Sequence, residues 1–310
     1  MAGARQVVDP PSFTPTPFGL LTTVEWVSAS DGHWQNGITY EPTCGAAVTG
    51  TGGSTYDACI AVTGTGGTPP TPAAFTNTVN KSPRGATSFS CWVDFECATV
   101  GNDAARDVAV RSLAMAEPWQ AERAFWTGQA AGQPVVFPHL AATAAVLDAQ
   151  GILLQTASVN VTGTSIGNAA DTTNVDAAVG MLEGALANCY DGVGVLHVPQ
   201  FMVPTLDAWG IIKQNGAVMR TMNGNKVAIG AGYPGSAPDG TARPAGKAWL
   251  YITGNVFGFR SELRTRSSGA QTIDRSTNTQ KMIAERTYVI GWDCCPAFAA
   301  LATIGVPGGT

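Results

Sequence analysis

The run Asn102 to Gly128, NDAARDVAVRSLAMAEPWQAERAFWTG, constrains this chain more than any other stretch, because it is the longest segment without an internal glycine and is dense in helix formers. It reads as one long helix. Asn102 is placed to cap the start, Asp103 to meet the positive end of the helix dipole, Asp107 to pair with Arg111 four residues on, and Gly128 to supply a left-handed exit. Val108, Met115, Trp119 and Trp126 form the predicted buried stripe, interrupted by Ser112 and Glu122. Pro118 lies inside, where a lost hydrogen bond and a clash cost about 3 kcal/mol, so a bend or a restart is expected there.

Charge then limits what such a helix serves. Only 13% of the 310 residues are charged, and the formal net charge is -5 with 17 Lys and Arg. Electrostatic gripping of nucleic acid requires clustered cations and is not indicated. A surface this poor in charge is expected to be covered by copies of the chain or by a partner. The sequence shows neither a basic region followed by an apolar core at its start nor a run of 18 apolar residues, so neither secretion nor membrane spanning is expected. The seven cysteines lack zinc-type pairs, and most are expected to be free and buried.

Residues 1–18 carry four prolines and no hydrophobic period, which predicts an extended arm. Strand-like residues run from Trp26 to about Gly45, and Phe89 to Cys97 alternates Cys91, Val93, Phe95 and Cys97 against Trp92, Asp94 and Glu96, the expected returning strand. Between them AVTGTGG occurs at 47–53 and again at 61–67, in a Gly/Thr/Pro-rich excursion that fits a two-stranded protrusion unable to stand alone. Further on, a helix is predicted over Val175 to Cys189, with Thr173 and Asp176 in a capping box and Asp191-Gly192 as its stop. VGVLHVP at 193–199 reads as a buried strand, Pro204 to Ile212 as a short helix, and Lys247 to Thr253 and Met282 to Trp292 as strands flanking a polar excursion over 260–278.

The chemistry-bearing motifs are weak. Gly163-Thr-Ser165-Ile-Gly167 matches a nucleophile elbow with Asp171, Asp176 and His197 following, but the required immediate helix is missing, and Ser165 is not expected to be catalytic. His33, His139 and His197 are far apart and read as structural. Gly240 to Lys247 is one residue too long for a phosphate loop and is followed by Ala248; Cys294-Cys295 are too constrained to chelate; the Asn160 sequon matters only on a secreted chain. No catalytic, cofactor-binding or metal site is expected.

Ala121-Glu122-Arg123-Ala124-Phe125-Trp126-Thr127-Gly128 leading into Gly132-Gln133-Pro134, then Val195 to Pro204 with Leu206, Gly224-Asn225-Lys226-Val227, Ala248 to Val256, and Ile283-Ala284-Glu285-Arg286-Thr287-Tyr288, occur in an order that resembles the major capsid proteins of tailed bacteriophages. The resemblance covers about two-thirds of the chain. It implies the α+β Hong Kong 97-type capsid fold, with an N-terminal arm at 1–25 and an extended β-hairpin E-loop at 26–97. A peripheral domain carrying the spine helix would occupy 98–173, a mixed α/β axial domain 174–255, peripheral return strands 256–295, and a last axial strand 296–310. The implied function is a shell of pentamers and hexamers around double-stranded DNA, assembled in the host cytoplasm, with scaffold, portal and decoration proteins as partners and no membrane. An encapsulin-type compartment shell shares that fold, and a β-rich surface adhesin would explain the composition. Some members of the capsid family cross-link an E-loop lysine to an asparagine with help from a glutamate. Here Lys81 is placed for the first, Asn278 is one residue out of register behind Thr277, and Ala284 stands where the glutamate would be, so a non-covalent shell is expected.

Overall fold

The structure is a computed structural model and describes residues 13–14, 16–28, 31–42, 83–98, 102–162, 174–190, 192–267, 273–274 and 279–305. Helix α1 spans Leu20–Thr23, α2 Asn102–Thr127, α3 Val175–Ala187 and α4 Val203–Ala208. Strands dominate the rest of the described residues, which form a mixed α+β fold with three sheets among them.

The longest strand, Thr279–Trp292, is the spine of a six-stranded sheet. Along one side it pairs antiparallel with Ser88–Ala98 over eleven residues, from Thr279 opposite Ala98 to Val289 opposite Ser88. Along the other it takes Val256–Arg260, Arg264–Ser267 and Ile273–Asp274 in turn. The strand expected to return from the excursion therefore pairs nearly two hundred residues downstream. The partner of Ile38–Tyr40 is instead Arg84–Ala86, antiparallel, so residues 41–83 leave and return at one place on a small four-stranded sheet. The two repeats and Ser165 lie outside the described residues, as do Asp171, Lys81, Thr277 and Asn278.

The helix α2 is continuous through Pro118, and Gly128 exits it at φ 72° as its lack of a Cβ allows. Its buried face differs from the predicted one. Ala105, Ala109, Leu113, Glu117, Ala121, Ala124 and Phe125 face the core, whereas Met115 and Trp119 are 57% and 51% exposed. Of the predicted stripe only Trp126 is in the core, joined by Glu122. The physical reason is size: Ala105, Ala109 and Ala121 on one i, i+4 row, with Ala124 beside it, let the helix axis approach the sheet closely, and that gain outweighs hiding the larger side chains.

A seven-stranded sheet runs in the order 159–160, 298–303, 247–253, 195–199, 226–230, 218–221, 212–215. Strand Val195–Pro199 is buried at every position, because one face of the sheet meets α2 and the other meets α3. Val195 joins the cluster of Phe125 and Trp126, while Leu196 and Val198 join that of Val179, Leu182 and Leu186. The predicted stripe of α3 is the buried one, with Val175, Ala178, Val179, Leu182 and Leu186 all inside.

The cysteines correct one expectation. Cys91 is free and buried, but Cys189 and Cys295 form a disulfide across 106 residues, tying the end of α3 to the corner before the last strand, Phe298–Thr303. Two further side chains hold that same corner. Trp292 donates its indole N–H to the Cys295 carbonyl at 3.0 Å, and Tyr40 donates its hydroxyl to the Trp292 carbonyl at 2.8 Å.

Candidate functional site

Of the nucleophile-elbow set, only Asp176 and His197 lie among the described residues. Asp176 sits in the first turn of α3, and His197 is fully buried with both ring nitrogens engaged, Nδ1 at 3.3 Å from the Tyr233 hydroxyl and Nε2 at 3.0 Å from Thr253 Oγ1. Burial holds its pKa down at about 3, so it stays neutral and structural. His139 is also buried and held down at about 4 by the same cause. His33 opens a surface turn. Among the described residues no three His, Cys, Asp or Glu side chains converge, and no helix is long and apolar enough to cross a membrane.

What the fold does build is a set of contacts along α2. Two carboxylates flank Pro118. Glu117 receives the Arg286 guanidinium, Nη1 to its two oxygens at 3.1 and 3.3 Å, and the Tyr288 hydroxyl at 2.5 Å, anchoring the helix to the central strand of the six-stranded sheet. Arg286 thus points at the helix while its neighbour Glu285 pairs with Arg266 at 3.2 Å, and Ala284 lies in the core. Glu122 does a different task. It is 3% exposed and accepts the Gly232 N–H at 2.9 Å and the Leu20 N–H at 3.4 Å. Burial without a cation pushes its pKa up to about 7, against the downward pull of the Gly232, Leu20 and Ala231 amides. Helix α2, the N-terminal turn α1 and the loop after Lys226–Gly230 are therefore pinned on one carboxylate. Gly232 has no Cβ because one would stand 2.3 Å from the Trp119 carbonyl.

On its other side α2 meets the outer edge of strand Ser88–Ala98. Two glutamines close that edge where backbone pairing stops. Gln133 accepts the Ser90 N–H and donates to the Ser90 carbonyl, both at 2.7 Å, and Gln120 does the same to Trp92, both at 3.0 Å. Beyond them Asp94 and Glu96 point outward, and Asp94 pairs with Lys281 at 2.9 Å. Side-chain amides and charges of this kind keep an exposed edge from pairing with strands at random. Trp92 and Trp119, both exposed, line a groove of about 140 Å³ here together with Phe89 and Arg123.

Sequence reasoning missed the glutamine clamps, which leave no periodic trace. Glu122 did leave one, as the charge that interrupts the apolar stripe.

No protein-family model matches the sequence, and no curated protein matches it. Among solved structures, the chain is similar to the capsid of an empty GTA particle, at 16% identity over 95% of this chain and 100% of that one, with a TM-score of 0.47. It is also similar to a Mycobacterium phage Bobi structure, at 13% identity over 99% and 96% of the two chains with a TM-score of 0.47. The capsid of Ralstonia phage GP4 follows at 9% identity, 100% and 97% coverage and a TM-score of 0.45.

Proposed function

We propose that this chain is a capsid subunit of the Hong Kong 97 type, closing a shell of pentamers and hexamers around double-stranded DNA. The observation that carries the reading is the outer surface of α2. A 26-residue helix buries four of its alanines and leaves Met115 and Trp119 in solvent, Trp119 sharing a groove with Trp92. Hydrophobic surface of that kind, on a chain with only 13% charged residues, is suited to being covered by further copies. The order of elements supports the same reading. A strand pair at the base of residues 41–83, a long helix on a sheet and a second mixed sheet with its own core follow one another as the sequence resemblance implies.

In this reading α2 and the six-stranded sheet form the peripheral domain, and α3 with the seven-stranded sheet forms the axial domain. Residues 41–83 are the E-loop tip, and the chain upstream of α1 is the arm. The subunit encloses DNA without reading its sequence and is assembled in the host cytoplasm, with scaffold, portal and decoration proteins as outside partners. Its contacts are non-covalent, because Ala284 stands where the cross-linking chemistry would place a glutamate.

Size-exclusion chromatography at micromolar concentration tests this. Species far larger than one 31.9 kDa chain are expected, dissolving to a single band on boiling in detergent and reductant. A compact monomer under every salt and scaffold condition would overturn the reading, and a reductant-resistant ladder would overturn its non-covalent part.

A further inference from the structure

At the end of α2 a cavity of about 390 Å³ opens between the helix and the 234–243 loop. Arg123 and Arg243 are both among its lining residues, with Thr127, Gln129 and the buried Ser236. No Asp or Glu lines it. Among the described residues no carboxylate pairs with either guanidinium. Asp239, four residues before Arg243, is already engaged by the N–H and hydroxyl of Thr241 at 2.9 and 2.7 Å, and Glu122, next to Arg123, by the Gly232 and Leu20 amides. Two arginines therefore line one concavity whose wall carries no carboxylate.

Arg243 is held in place as well as present. Its guanidinium stacks 4.4 Å from the centroid of the Phe201 ring and donates to the Lys247 carbonyl at 3.4 Å, which fixes the plane of the fork. Ser236 is fixed too, since its hydroxyl accepts the Trp126 indole N–H at 3.0 Å and its carbonyl accepts the Tyr251 hydroxyl at 3.1 Å. The negative end of the α2 dipole works against an anion there. It is blunted, because the last carbonyls are taken: Arg123 by the Thr127 hydroxyl, Ala124 by Gly128, Phe125 by Leu140 and Trp126 by Ala141.

We propose that this pocket is an oxyanion site whose occupant is a carboxylate side chain of a second copy of this chain. The inference rests on the shell reading for its partner. Charge supplies the argument: the chain carries 22 Asp and Glu against 17 Lys and Arg, so a second copy offers carboxylates in excess. Shape argues against duplex DNA, whose regularly spaced phosphates are met by rows of cations rather than by one recess. Arg123 also lines the groove of Trp92 and Trp119. A segment crossing α2 can therefore place an apolar group against the tryptophans and an acid in the pocket at once.

The test uses the full chain with benzoylphenylalanine in place of Gln129 at the pocket wall, irradiated under associating conditions and digested. The expected product joins the residue 129 peptide to an acidic peptide of another copy. In a separate variant, R123Q/R243Q is expected to lower the fraction of chain in higher-order species by roughly tenfold or more, with a cooperative melting transition retained by the separated chain. Three results would overturn the inference while leaving the shell reading standing: association unaffected by the double substitution, no cross-link in associated chain, or a cross-link to DNA. A parent that never associates would sink both.

Discussion

Replacing Glu122 with Gln should remove a pH dependence that belongs to one buried carboxyl. Its pKa rises from 4.5 to about 7 on folding, with burial as the leading cause, and at 1.36 kcal/mol per tenfold this is roughly 3 kcal/mol. The sign follows from proton counting. Between those two values the folded chain holds a proton that the unfolded chain has lost, so stability is full below the unfolded value and declines as pH rises through about 7. His139 and His197 act in the opposite direction. Their folded values of about 4 and about 3 lie below the ordinary 6.5, so they add stability as pH rises towards neutrality. Both histidines are present in parent and variant, and subtraction removes them. Gln keeps the size of the side chain but cannot accept on its amide nitrogen. It leaves the N–H of Leu20 or Gly232 unpaired, a loss of about 1–3 kcal/mol that does not vary with pH. The assay is urea unfolding of separated chains followed by tryptophan fluorescence, between about pH 4.5 and about pH 8. Relative to the variant, the parent should lose roughly 3 kcal/mol across that range. A difference that stays flat with pH would refute the placing of Glu122 at this junction.

Three further outcomes follow from packing. Trp126→Ala should lose about 3–5 kcal/mol in the same unfolding assay, since the ring is fully buried against Tyr251 and Tyr233, whereas Trp119→Ala should stay within about 0.5 kcal/mol and lower association instead. Equal losses in both variants would show the face of α2 to be wrong. Gly232→Ala puts a Cβ 2.3 Å from the Trp119 carbonyl, and should cost about 1–3 kcal/mol by urea titration; a neutral result would mean that the loop stands off the helix. Cys189→Ser should cost about 2–4 kcal/mol under oxidising conditions, because it opens a link spanning 106 residues, and unchanged unfolding there would show that the bond does not form.

The elements that the sequence revealed are those with a clean period. Helix α3 carries an unbroken aliphatic stripe, and Val195–Pro199 and Lys247–Thr253 are continuous or alternating runs, so their type and inward residues were readable. The extent of α2 was readable from its composition, but not its face. Ala weighs little in any apolar period, yet close approach to the sheet selects it, and the tryptophans that dominate the period were left for another surface. Pairing was less accessible still. Ser88–Ala98 finds Thr279–Trp292 and Cys189 finds Cys295 through the folded topology alone. The candidate contacts were half visible: Glu122 appeared as a charge out of place, whereas Gln120, Gln133 and the Arg123/Arg243 pocket depend on which segments fold next to one another.

The central claim, that copies of this chain cover one another to close a shell, is tested most directly by negative-stain electron microscopy of the purified chain. Closed particles, or rings of five and six subunits, are the predicted result. Fields of isolated compact molecules at every concentration and salt tried would contradict it.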